Sequence, residues 1–160
     1  MSAQAPFRSS VMAVEPQWID YNGHLNMAYY NVLFDRCGDE VFDLLGMGPN
    51  YATSRRLTIY TAEVHTCYVR ELHEGDSVFV TYQLVDADEK RIHGYQELFH
   101  EDGWLAATME SLSLHVDMSG PRVTAFPADI GEKVEAMRAT HATLPRPERA
   151  GRSIGIRRKT

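Results

Sequence analysis

Between Met27 and Leu45 the chain carries a single two-sided helix pattern, and no other stretch limits its possible folds as strongly. Tyr30, Leu33, Phe34, Cys37, Val41, Leu44 and Leu45 recur at three- and four-residue spacing, while Asp35, Arg36, Asp39, Glu40 and Asp43 fill much of the other side. That spacing predicts an amphipathic helix with a broad apolar stripe. Gly46 ends it as a C′ residue, with Gly48 and Pro49 beyond. Such a helix must lie against a wide apolar surface, and the next sixty residues supply one. Leu57 to Leu72, Ser77 to Val85, Arg91 to His100 and Trp104 to Asp117 read as strands rich in Val, Ile, Thr and Tyr. The turns between them, at 73–76, 86–90 and 101–103, are short enough for hairpins and hence for an antiparallel sheet. One long helix ahead of a run of strands predicts an α+β fold.

The remainder fits one domain. At 160 residues the chain is long enough for a sizeable core, and 44% hydrophobic with 24% charged residues is an ordinary globular balance. Residues 1–9 read as a flexible leader, 10–145 as the domain and 146–160 as a basic tail. Ser10 to Asp20 reads as a first strand, broken or bulged near Pro16, which has no N–H for a ladder. Residues 121–127 read as loop and 128–142 as a short C-terminal helix. The net charge of −6 divides into about +5 in the tail and about −11 in the body. An acidic body argues against nucleic acid as a partner, whereas the tail suits a polyanion or simply a solvated terminus. No apolar run approaches the length of a membrane span. The first residues lack the basic and apolar segments of a secretory signal. Cys37 and Cys67 read as buried thiols of a reducing compartment, so a cytoplasmic location is expected.

The chemistry concentrates just before the helix, in Trp18, Ile19, Asp20, Tyr21, Asn22, Gly23, His24, Leu25 and Asn26. Gly23 lets the chain reverse through a left-handed conformation. Asn26 is placed to cap the helix. The first helical N–H groups, those of Met27 and Ala28, lack intrahelical partners and carry the positive end of the helix dipole. A carboxylate, an imidazole and free N–H donors in one small volume suit attack on a polarised carbonyl. Asp20 is the leading catalytic candidate, either as nucleophile or as the base that activates a water. The N–H of Met27 or Ala28 would stabilise the oxyanion.

The pattern Asp20-x-x-Gly23-His24-x-Asn26 at a strand-to-helix junction resembles the active-site loop of hotdog-fold acyl-CoA thioesterases of the 4-hydroxybenzoyl-CoA thioesterase type. Many members carry a second Asn after the position of Asn26, where this chain has Met27. The run from Trp18 to Tyr30 is also similar to thioesterases of carnitine and betaine breakdown, and a looser likeness extends over about residues 10–118. The resemblance implies a curved antiparallel sheet wrapped around one central helix. It also implies a homodimer or dimer of dimers with active sites at the interface, an acyl-CoA substrate and no separate cofactor. It implies that His24, the second catalytic candidate, orders the loop.

Further candidates surround this centre. Asn22 and Gly23 shape the loop, with Asn22 a contact to substrate or water. In a regular strand Glu63 would share a face with Leu57, Ile59, His65 and Cys67. A charge there is costly unless paired, which makes Glu63 a substrate-contact candidate. Trp18, Tyr21, Tyr29 and Tyr30 crowd the loop, either as packing or as an aromatic cage for a quaternary ammonium. No His or Cys spacing suggests a metal site, and no Gly-x-Ser-x-Gly elbow is present. The expected activity is hydrolysis of a small acyl-CoA, of betainyl or carnityl type if the aromatics form a cage. The alternatives are a non-catalytic acyl-CoA binding module and a hotdog enoyl-CoA hydratase. Against the hydratase, Asp20 and His24 are four residues apart with no Pro between them.

Overall fold

The computed structural model describes residues 4–160. Two short strands, β1 (Phe7–Arg8) and β2 (Met12–Ala13), precede a 3-10 turn at Pro16–Trp18. Helix α1 spans Met27–Leu44 and α2 spans Pro49–Arg55. Four long strands follow: β3 (Leu57–Tyr68), β4 (Ser77–Ala87), β5 (Arg91–His100) and β6 (Leu105–Asp117). A short β7 (Arg122–Val123) and helix α3 (Ala128–His141) complete the order. The sheet is antiparallel, in the order β1-β4-β5-β6-β3, with β2 also on β4 and β7 on β6. This is the α+β arrangement expected, with a short C-terminal helix and an open rather than closed sheet.

Helix α1 lies on β4 and β5 through Leu33, Phe34, Cys37 and Val41, all fully buried. They meet Val78, Val80, Tyr82 and Leu84 of β4 and Leu98 of β5 in one core. Removing such side chains from water, at roughly 25 cal/mol per Å² of apolar surface, is what holds helix to sheet. Helix α3 extends the same core with Ile130, Val134 and Met137. His141 at its end accepts the Leu84 N–H at Nδ1 and donates from Nε2 to the Gln4 carbonyl, at 2.8 and 2.9 Å.

Several boundaries differ from the sequence reading, each for a physical reason. Ser10 to Asp20 is not one strand: Pro16 starts a 3-10 turn, leaving Met12–Ala13 paired with β4 and Ile19 in a single bridge to Leu25. Of the expected leader, residues 1–3 lie outside the described residues, and Phe7 and Arg8 pair with Tyr82 and Thr81. Gly48 and Pro49, read as punctuation after α1, open α2, since Pro is favoured at the first helical position. The run ending at Leu72 stops being strand at Tyr68. Residues 69–76 cross the end of the sheet, where Leu72 is fully buried and its carbonyl accepts the Leu25 N–H. The expected first hairpin is therefore absent, and β3 pairs with β6 instead of β4. The basic tail begins on the sheet's other face. There Pro145 accepts a bond from Gln83, and the Gly151 N–H donates to the Glu110 carboxylate.

Candidate active site

The loop from Asp20 to Asn26 is closed by its own backbone. Asp20 N–H donates to the His24 carbonyl, Gly23 N–H to the Asp20 carbonyl, and Asn26 N–H to the Trp18 carbonyl. Gly23 sits at φ 81°, the left-handed region its missing side chain permits. Asp20 Oδ1 accepts the Asn22 N–H at 2.8 Å, so one carboxylate oxygen holds the loop and Oδ2 remains available. His24 is half-buried, and its Nδ1 lies 3.4 Å from the Leu25 carbonyl, a local contact that orders the loop.

The helix start separates the two expected oxyanion donors. Asn26 caps α1 by accepting the Ala28 N–H at 2.9 Å, and the Tyr29 N–H bonds the Asn26 carbonyl. Ala28 is thereby occupied. The Met27 N–H has no partner among the described residues. The cap that makes the helix begin at Met27 is the same group that removes Ala28 from the donor set, a consequence invisible in the residue pattern.

Asp20, Tyr21, Asn22, His24, Asn26, Met27 and Tyr30 line one cleft of about 520 Å³. Its far wall comes from residues the sequence reading did not single out for the site: Tyr68, Val69, Arg70 and Glu71. Tyr68 Oη donates to the Met27 carbonyl at 2.9 Å, and its ring meets Tyr30 edge-on at 5.0 Å. Burial pushes both phenols above their ordinary pKa, keeping them protonated as donors. The Arg70 guanidinium lies 4.0 Å over the Trp104 ring, held at the cleft by stacking. No local pattern marks this wall, since Tyr68 meets the start of α1 only through the tertiary fold.

Gly23, Ala28 and Tyr29 are not part of the cleft wall, and Trp18 and Glu63 stand elsewhere. Trp18 is 5% exposed, with Tyr29 stacked 5.7 Å away and the Arg36 guanidinium 5.0 Å from its ring. Its ring is already engaged by these two neighbours, and Trp18 is absent from the cleft wall. Glu63 points to the opposite side of the sheet. A bulge between Thr61 and Glu63 inserts Ala62, so Ile59 pairs with His115 but Glu63 pairs with Leu112. One extra residue exchanges the faces of everything after it. Glu63 is therefore exposed beside His65, His93 and Glu110, around a hollow of about 250 Å³ on the outer face, while Leu57 and Ile59 face the helix side. Of the expected aromatic cage, Tyr21 and Tyr30 remain in the cleft, joined by Tyr68.

A model of the thioesterase-like superfamily matches residues 14–134, which include this loop, α1 and all four long strands. The chain belongs to the thioesterase-like superfamily. As a member of it, the protein is a thioester hydrolase on the hotdog fold. It is 35% identical to a betainyl-CoA thioesterase from Pseudomonas aeruginosa, over 89% of this chain and 91% of that one. It is 32% identical to an L-carnitine dehydrogenase/betainyl-CoA thioesterase from Rhizobium meliloti, over 99% of this chain but only 32% of that longer protein. Among solved structures, a Staphylococcus aureus protein in complex with CoA superposes with a TM-score of 0.89 at 30% identity, covering 98% of both chains. A putative thioesterase from Pseudomonas putida superposes at 0.83 with 27% identity, over 97% of this chain and 99% of that one. Among the described residues of this thioesterase, no helix is long and apolar enough to cross a membrane.

Proposed function

We propose that this thioesterase hydrolyses a small acyl-CoA whose acyl group carries a quaternary ammonium, of the betainyl type, to the free acid and CoA. The observation that carries the reading is the pairing, in one cleft, of the Asp20 carboxylate with the unpartnered Met27 N–H at the start of α1. The thioester oxygen is stabilised by that N–H as it becomes an oxyanion, where one such donor contributes about 3 kcal/mol. Asp20 Oδ2 either attacks the carbonyl carbon, expelling CoA thiolate and leaving an anhydride that water cleaves, or removes a proton from the water that attacks directly. Both routes end in the same products. Asn26 and Gly23 hold the loop, His24 orders it, and Arg70 offers a cation to the phosphates of CoA at the cleft. The acyl class is supported by the betainyl-CoA thioesterase relatives and by the Tyr21, Tyr30 and Tyr68 rings at the cleft.

The working unit in this reading is a homodimer or larger homo-oligomer in the cytoplasm. β3 is an unpaired edge of the sheet, and Tyr60, Val64, Tyr68 and Val69 along and just beyond it are exposed. Long apolar edges of this kind call for a covering partner.

The test is release of free thiol from a panel of acyl-CoA esters by the wild-type protein and by Asp20→Asn. Asp20→Asn should remain folded and lose about 10²-fold or more in rate. Undiminished turnover across the panel would remove Asp20 from the chemistry, and absence of turnover by the wild type would favour an acyl-CoA binding module.

A further inference from the structure

The basic tail crosses the outer face of the sheet along one row of side chains. Gln83, Tyr95, Glu110 and His65 are successive cross-strand partners on β4, β5, β6 and β3, so all four project to the same side. The tail follows that row in order. At β4 the Pro145 carbonyl accepts from Gln83 Nε2 at 3.2 Å. At β5 burial raises the pKa of Tyr95 and Glu97, and the nearby Arg149 guanidinium partly offsets it. Tyr95 is 3% exposed although it stands outside the core under the helices. At β6 the Gly151 N–H donates to the Glu110 carboxylate at 2.6 Å.

The next strand in that direction is β3, whose outer side is unpaired among the described residues. One more strand spacing, about 4.8 Å, takes about two extended residues at 3.3 Å each. On that course the tail passes the edge of the sheet near Ser153, and Ile154 and Ile156 come beyond it. Both are almost fully exposed, at 89% and 86%. Their i, i+2 spacing puts them on one side of an extended segment, as two anchors.

Charge agrees with this path. Residues 152–160 hold Arg152, Arg157, Arg158 and Lys159 and no acid, whereas residues 1–145 carry about −11. At the edge of the outer face, Glu63 is exposed and its cross-strand partner Leu112 is half-buried, beside the hollow of about 250 Å³. In its own chain the tail leaves both isoleucines in water. A second copy brought to β3 would offer them the same carboxylate and the same apolar side chain.

We propose that residues 152–160 are an arm that docks on the outer sheet face of a second copy, with Ile154 and Ile156 as apolar anchors and Arg157, Arg158 and Lys159 set against its acidic surface. By symmetry each copy gives one arm and receives one. The inference rests on the homo-oligomer reading above and adds to it a contact on the face away from the Asp20 cleft. The test puts a photo-crosslinking amino acid at Ser153 of the full chain. Irradiation at micromolar concentration should yield a two-chain product whose linked peptide maps to β3 or β6. Ile154→Asp with Ile156→Asp, at two exposed positions that leave the core untouched, should cut that product about tenfold or more. Light scattering on the same samples reports the assembly. An oligomer giving only crosslinks within one chain, or none, would overturn the inference and leave the oligomer reading intact, as would a two-chain product that survives both Asp substitutions. Loss of the product on adding free CoA would overturn it in favour of the coenzyme's phosphates. A protein that is monomeric in solution would overturn the inference and the oligomer reading together.

Discussion

The two halves of the sheet are built to different standards. Under α1 and α3, strand β4 alternates buried and half-buried residues, β5 is buried at three consecutive positions from Gly94 to Gln96, and Val78, Val80, Leu84 and Leu98 are closed to solvent. At the other edge, β3 runs through five consecutive exposed residues, carries a bulge and has no neighbour on its outer side among the described residues. The Asp20 cleft abuts this open half, with Tyr68 of β3 in its wall, and shares α1 with the closed half. The contrast teaches where stability and function reside: the closed half holds the fold, and the open half leaves surface for substrate and for a second chain.

Substitutions can break that division, and the largest effect belongs to the closed half. Leu33, fully buried where α1 meets the sheet, should cost about 2–5 kcal/mol when replaced by Ala, from lost transfer energy plus the cavity left behind. Denaturant unfolding measures it, and a midpoint unchanged from wild type would show that the core does not depend on this contact.

On the open half the corresponding test alters chemistry and spares stability. Met27 is the first helical residue, and Asn26 before it is extended at φ −62° and ψ 141°, a conformation compatible with a following proline. Met27→Pro therefore deletes one N–H without disturbing α1. Turnover should fall about 10²–10³-fold with little change in unfolding midpoint. Full activity in this variant would place the oxyanion donor elsewhere.

The smallest effect sharpens the comparison through pH. His141 is buried, and burial lowers its pKa; the bond from Nε2 to the Gln4 carbonyl opposes this in part. Its Nδ1 must stay unprotonated to accept the Leu84 N–H. The unfolded chain binds a proton near pH 6.5 and the folded one resists it, so stability rises with pH across this range. The contribution is full above about pH 6.5 and is lost as pH falls through the lowered folded value. Unfolding midpoints between about pH 7 and 5 should decline, with a shallower slope in His141→Gln. An unchanged slope would assign the decline to other groups.

By itself the sequence determined the parts whose causes are local. The spacing from Tyr30 to Leu45 placed α1 within one residue of its end, β5 spans the residues its pattern indicates, and the Asp20–Asn26 motif led to the loop that lines the cleft. Periodicity, capping and turn chemistry act between residues a few positions apart, so they are legible in order along the chain. Tertiary structure alone decided the rest. β3 pairs with β6 across the sheet, the bulge at Ala62 turns Glu63 outward, and Tyr29 and Arg36 engage Trp18. Tyr68 and Arg70 reach the cleft only because residues 69–76 cross the sheet's end. These outcomes depend on which distant surfaces meet, on one-residue shifts of register and on which hydrogen-bonding groups remain after packing. No nearest-neighbour pattern records them, because the free energy that selects them is shared among residues far apart in the chain.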